Sequence, residues 1–394
     1  MAEQAYRAMV PSLKEDEEGG REDAGKACEV PWQEMLFHGR PVPRLVCIQG
    51  ERRGEDGAVP LYRHPVDEQP PVHDFSPSVA QIVQEARQTF GHPFNHALIQ
   101  VYRSGQDSIN QHADKTLDIV PGSPIVNVSL GSAREFLIRS KAKLKCGSGP
   151  EIKQRITLLH NSALAFGLET NRFCTHQIAP DKRPPGQRRP EETAWDGVRI
   201  SLTLRVVGTF LRPQDGRIFG QGAKYKSAED LDAALASGKN NAGQVTGIEE
   251  VERESARMME AFRQENRDPN FDWAAFFGEG FDLIAPMVEG SAAATAATAA
   301  AKGDANGEAE ANGEACVGGT SAAETSAAAS IVTCVSTSTT VSASSPSLSA
   351  STSASAHVCT RSTPTAEPTD PAVASVVGPD PTCPTGGCSS APPG

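Results

Sequence analysis

The chain has 394 residues and a net charge of −12, long enough for two or three domains by length alone. From about residue 290 onward it is dominated by Ala, Ser, Thr, Pro and Gly, with few charges and no Phe, Tyr or Trp; such a segment cannot bury enough apolar surface to offset its ordering entropy, so folded mass is expected only over roughly 25–285. The acidic balance argues against wholesale coating of nucleic acid, and no apolar run reaches membrane-spanning length.

In chain order, residues 1–27 read as a flexible arm with an acidic cluster in KEDEEGGREDAG. From VPRLVCIQG (42–50) short apolar runs alternate with turn residues, as small strands do. SPSVAQIVQEARQTFG (76–91) is the clearest helix of the first half. Ser76 or Ser78 can cap it, Pro77 stands at or near its first position, Gly91 can end it, and Val79, Ile82, Val83 and Ala86 share one face. The pattern then switches to period two in HALIQVYR (96–103), PIVNVSLG (124–131), EFLIRS (135–140), KQRITLLHNSALAFG (153–167), THQIAP (175–180) and VRISLTLRVVGTF (198–210). Many short strands with one helix packed outside predict a mainly β fold with flanking helices, a double-sheet jelly roll or barrel. A second helix over about 247–265 leads to the aromatic-rich FDWAAFFGEGFDLI (271–284), which is expected to dock back on the barrel. The domain reading is an acidic arm over 1–27, a core domain over 28–225, a helical extension over 226–288 and a disordered tail over 289–394.

Of the nine cysteines, five fall in the tail and none in the core forms a close pair; Cys383 and Cys388 lack the second pair a zinc module needs. Together with the missing signal-peptide pattern, this predicts a protein of a reducing compartment, nucleus or cytoplasm. Basic residues gather in REFLIRSKAKLK (134–145) and DKRPPGQRRP (181–190). Each is either a solvated face or a phosphate-contacting rim.

Two stretches carry chemistry. In RISLTLR (199–205), alternation sends Arg199, Ser201, Thr203 and Arg205 to one side and Ile200, Leu202 and Leu204 to the other. Two arginines on one face of a strand need anionic partners, and a small dianion held at both ends would satisfy them. In NQHADKT (110–116), His112 and Asp114 point the same way if the segment is extended. A third ligand from a distant strand would complete a two-histidine, one-carboxylate set with open positions for iron(II). His176 in CTHQIAP is the natural third ligand, and His160 in LLHNS is its competitor.

His-x-Asp, a later His, then Arg-x-Ser-x-Thr-x-Arg resembles the AlkB family of iron(II)- and 2-oxoglutarate-dependent dioxygenases. The likeness runs from GRPVPRLVCIQG (39–50) to VVGTF (206–210) and includes QVYRSGQDSINQHAD and PIVNVSLGS. The resemblance implies a double-stranded β-helix core, with Fe(II) held by His112, Asp114 and His176 and with 2-oxoglutarate and O2 as co-substrates. It implies that Arg199, helped by Ser201 and Tyr102, clamps the distal carboxylate of 2-oxoglutarate. Arg205, with Gln100 beside it, would meet the carboxylate nearer the metal, and Thr203 lies on the same face. Tyr62 falls in the family's substrate lid. Thr116 occupies the position where nucleic-acid repair members often carry an acidic residue, and Ser201 stands where the family usually has asparagine.

The implied activity is oxidative demethylation of N-alkylated bases in DNA or RNA, with single-stranded or damaged nucleic acid as partner and a monomer expected. The alternative is a hydroxylase or demethylase of a protein or small molecule on the same scaffold. A non-catalytic binding module would leave three ligands and two arginines without a use.

Overall fold

The computed structural model describes residues 1–11, 28–141 and 152–286, and the backbone of a short strand, Thr333–Ser336. Two antiparallel sheets carry the core. The larger runs in the order Ser162–Phe166, Ile125–Gly131, Arg199–Arg205, His96–Tyr102 and Leu45–Gly50, with Val72–His73 joined in parallel at one edge and Thr333–Ser336 antiparallel at the other. The smaller runs Lys153–Leu158, Arg134–Ser140, Cys174–Ile178 and Ile109–His112. The mainly β expectation with helices outside is met.

Period two explains how one sheet serves two purposes. Ile200, Leu202 and Leu204, with Ile99, Val101 and Val126, point to one side and pack with Val79, Ile82, Val83 and Ala86 of the helix Pro77–Phe90 in the main core cluster. That helix begins with Pro77 and ends at Gly91, which takes the left-handed conformation (φ 69°) and donates its N–H to Arg87 O. Neither serine caps it through its side chain: Ser76 is the N-cap, but its backbone N–H donates to Gln49 and its hydroxyl makes no bond in the helix.

Two expectations need correction. KQRITLLHNSALAFG is two strands in different sheets, because Asn161 turns the chain with φ 55°, a conformation asparagine tolerates. The arm does not begin as free chain: Ala2–Met9 is a helix whose Ala5, Tyr6, Ala8 and Met9 are buried. The Tyr6 ring packs 4.6 Å from that of Trp195, and a Cβ at Gly131 would stand 2.6 Å from it, so Gly131 (φ 87°) leaves it room. Residues 12–27 lie outside the described part, as does the tail apart from Thr333–Ser336, which is paired to Ser162–Ala165.

The aromatic-rich segment docks as expected. Phe281 and Leu283 are buried with Met258 and Phe262 of the helix Ile248–Arg267, and their carbonyls accept from Arg63. No helix among the described residues is long and apolar enough to cross a membrane.

Candidate metal centre and anion pocket

The site lies on the polar face of the larger sheet. Register puts Arg199 opposite Tyr102, Ser201 opposite Gln100, Thr203 opposite Leu98 and Arg205 opposite His96 on one flank; Ser129 and Asn127 oppose Ser201 and Thr203 on the other. A narrow pocket is lined by Gln100, Tyr102, His112, Asp114, Asn127, His176, Arg199, Ser201, Thr203 and Arg205, with Phe136, Phe166 and Ile178 among its apolar walls. Nine of these ten polar residues were expected from the sequence as metal ligands or co-substrate contacts; Asn127 is the addition, and all are brought together. A wider depression of about 540 Å³ on the extension, lined by Lys224, Lys239 and Asp282, shares no residue with this pocket.

His112 and His176 are direct cross-strand partners, and their rings lie 4.3 Å apart. Asp114 Oδ1 sits 3.7 Å from Nε2 of each, so one ligand atom from each of the three residues falls within 4.8 Å of the others. The Nδ1 of His112 donates to Asn110 O at 2.8 Å, because a carbonyl can only accept. That leaves the Nε2 lone pair facing Asp114, the tautomer a metal ligand requires. The other carboxylate oxygen of Asp114 accepts from Arg205 Nη2 at 2.6 Å and Nε at 3.0 Å. Burial by itself would raise the Asp114 carboxyl. The Arg205 guanidinium and then the two imidazoles outweigh it and hold the group ionised, well below the usual carboxylate range. Burial, reinforced by His176, pushes His112 down to about 3, and burial lowers His176 too. Two neutral imidazoles and one carboxylate, all poised to donate, suit a divalent first-row cation.

Arg199 is a different case. It is 1% exposed and has no acidic partner among the described residues. Its Nε donates to Ser129 Oγ (2.8 Å) and its Nη2 to Asn127 Oδ1 (3.0 Å), and Asn127 Nδ2 in turn donates to Ser201 and Thr203. Burial draws its pKa down to about 10, still charged at neutral pH. A buried cation held by neutral groups awaits an anion. Gln100 Nε2 and Arg205 Nη1 are likewise buried donors with no acceptor. Sequence reasoning passed over Asn127 and Ser129, although their i, i+2 polar spacing inside apolar IVNVSLG is the same signal that marked Arg199–Arg205.

His160 is excluded from the metal set. Its Nδ1 accepts from Gly131 N, and its ring stacks on Trp195. Tyr62 and Thr116 are not presented as free substrate contacts. Tyr62 is 3% exposed, lies 4.0 Å beneath the Arg205 guanidinium and accepts the Lys115 N–H on its hydroxyl. Thr116 spends its hydroxyl on Glu265. The basic stretches are largely committed as well. Arg134 is buried on three carbonyls, and Lys141 donates to Glu265 O. Arg183 and Arg188 pair with Asp181, and Arg183 and Arg189 with Glu192. The remaining lysines of the first stretch, Lys143 and Lys145, lie outside the described residues.

Comparison with known proteins agrees with this geometry. The profile of the 2OG-Fe(II) oxygenase superfamily matches residues 15–205, a span holding the His-Asp-His set and both arginines. The human protein named DNA oxidative demethylase ALKBH2 is 36% identical over 94 residues, covering 24% of this chain and 36% of its own length. The Arabidopsis thaliana protein of that name is 27% identical over 157 residues, covering 36% and 45%. The Bos taurus alpha-ketoglutarate-dependent dioxygenase alkB homolog 3 is 25% identical over 185 residues, covering 45% and 58%. The chain thus spans about a third to three fifths of the length of these relatives. In its site and over the matched span, the chain is similar to the AlkB-like 2OG-Fe(II) oxygenases.

Proposed function

We propose that this chain is an Fe(II)- and 2-oxoglutarate-dependent dioxygenase that oxidatively demethylates N-alkylated bases in DNA or RNA. The observation that carries the reading is the pairing of a buried, acid-free guanidinium, Arg199, with the His112, Asp114 and His176 cluster across one pocket. The strand order supports a double-stranded β-helix, with 28–225 as its catalytic core and 226–288 as an extension. Acting on DNA would place the protein in the nucleus.

In this reading His112, Asp114 and His176 hold iron(II), which with 2-oxoglutarate and O2 supplies the oxidising chemistry. The chain's own residues orient and shield. Arg199, steadied by Asn127 and Ser129, pairs with the distal carboxylate of 2-oxoglutarate, and Tyr102 and Ser201 line that end. Arg205 keeps Asp114 Oδ2 occupied, which leaves Oδ1 to the metal. Its spare Nη1 and the amide of Gln100 meet the carboxylate nearer the metal. Thr203 holds Asn127 in place. Phe136 stacks on the His176 ring and excludes water beside it. The substrate base must leave its stack to reach the pocket.

The test is to incubate the protein with iron(II), 2-oxoglutarate and N-methylated single- and double-stranded oligonucleotides, then measure succinate and loss of the methyl group. Stimulated succinate release with matching methyl loss is expected, abolished in Asp114→Ala and His176→Ala. A second reading, oxidation of a protein or small molecule, draws on the committed guanidiniums of 183–189 and the charge of −12. Turnover indifferent to every oligonucleotide, with no salt-dependent binding, would replace the first reading by the second.

A further inference from the structure

The segment carrying Asp114 leaves the strand at His112, so its backbone donors have no ladder to join. Four consecutive amides donate instead to four side chains from distant parts of the chain. Ala113 N reaches Asn266 Oδ1 (2.8 Å), Asp114 N reaches Asn171 Oδ1 (2.9 Å), Lys115 N reaches the Tyr62 hydroxyl (2.9 Å) and Thr116 N reaches Glu265 Oε1 (2.9 Å). Two of these acceptors belong to the helix Ile248–Arg267, which lies beyond the residues that carry the family match. Side chains tighten the same contact. Lys115 Nζ donates to Phe262 O (3.1 Å) and Asn266 Oδ1 (3.0 Å); the Thr116 hydroxyl and the Trp273 indole both donate to Glu265 Oε1. Lys115 is 4% exposed and Glu265 6%. In such a setting an unmade hydrogen bond is costly, so the network has one low-energy arrangement.

We infer that this helix is part of the metal centre: Asn266 and Glu265 are positioning residues that hold the turn 113–116 so that Asp114 faces His112 and His176. The inference rests on the metal reading above. Removing the Asn266 amide leaves Ala113 N–H and one Lys115 bond without an acceptor, directly beside the carboxylate ligand. Loss of such supporting contacts weakens metal binding by about 10–100-fold. Linkage makes the effect reciprocal: if the helix holds the metal turn, bound metal must stabilise the helix.

The experiment titrates the full chain anaerobically with Mn(II) alone, by calorimetry, and follows amide hydrogen exchange with and without the ion. Asn266→Ala is expected to bind Mn(II) about tenfold more weakly or worse, and Asn266→Asp, which keeps an acceptor oxygen there, to recover most of the affinity. In the wild-type chain Mn(II) should slow exchange over 258–267 as well as over 112–116. Met258→Ala is the control: Met258 is buried with Phe262 and Phe281, so the variant should melt lower yet bind Mn(II) within about twofold of wild type. Wild-type affinity in Asn266→Ala, equal weakening in Met258→Ala, or helix exchange untouched by Mn(II) each overturns the inference. Should Asn266→Ala fail to fold, the wild-type exchange decides. A wild-type chain that binds no Mn(II) overturns the metal reading itself, and this inference with it.

Discussion

Arg199 is the residue at which function and stability are opposed. Its guanidinium is buried, charged and held by two neutral oxygens and the face of the Tyr102 ring, with no acidic partner among the described residues, an arrangement that costs free energy until an anion arrives. Arg199→Met keeps the volume and removes the charge. The variant should therefore raise the stability of the ligand-free protein by about 1–4 kcal/mol while losing the thermal shift that 2-oxoglutarate gives the wild type. Differential scanning fluorimetry with and without 2-oxoglutarate reads both, and a variant that melts lower yet still shifts would refute the dianion role. The histidines away from the metal make a second residue-scale prediction. Burial, above all, holds His64 down to about 4 and His96 well below its ordinary 6.5. A depressed imidazole in the folded state binds fewer protons than in the unfolded chain. Its stabilising effect is full above pH 6.5 and declines as pH falls towards the folded value, by up to about 1.4 kcal/mol per pH unit per group. Urea midpoints of the metal-free protein should drop between pH 6.5 and 4, and His64→Gln should flatten that slope. An unchanged slope would mean the His64 ring is protonated or solvated when folded. The ligands and arginines were legible because strand alternation exposes polar residues where apolar ones belong. His96 was passed over as a buried site neighbour, although the alternation that sends Gln100 and Tyr102 to the pocket carries it to the same face.

At the scale of elements, the strands and the helix Pro77–Phe90 were legible from periodicity, and the first helix was not. The charges of KEDEEGGREDAG dominated the reading of 1–27, although Ala5, Tyr6, Ala8 and Met9 already mark an apolar face. This helix secures the sheet beside the anion pocket, because Gly131, against which Tyr6 packs, is the register partner of Arg199. Tyr6→Ala removes a buried ring from the stack with Trp195 and should cost about 3 kcal/mol in chemical unfolding. Gly131→Ala should cost more: the position has φ 87°, and its new Cβ would fall 2.4 Å from Val198 O, which is backbone and cannot step aside. If Tyr6→Ala unfolds at the wild-type midpoint, the first helix is a bystander to the fold.

Over the whole molecule, the extension after residue 225 is tied to the core by buried polar contacts. Arg63 is fully buried; it pairs with Asp118 at 2.7 Å and sends Nη1 to the carbonyls of Phe281 and Leu283. Gly222 is the floor of this contact, where a Cβ would meet both members of the ion pair. The link was invisible in the sequence because a carbonyl acceptor has no residue signature and the partners are more than 200 positions apart. Ending the chain at 226 would strip Arg63 of two acceptors, uncover Leu61, against which Ile284 packs, and free the 113–116 turn of two of its four side-chain acceptors. Breaking a buried charged network in this way costs about 3–5 kcal/mol, and the apolar contacts of Met258, Phe262 and Phe281 are lost besides. Because a domain has only about 5–15 kcal/mol to lose, the 1–226 fragment should show no cooperative melt, whereas 1–286, which keeps the contacts of Arg63 and of the 113–116 turn, should melt sharply and bind Mn(II). A 1–226 fragment melting within a few degrees of 1–286 would make the extension an independent attachment and leave Arg63 satisfied by solvent.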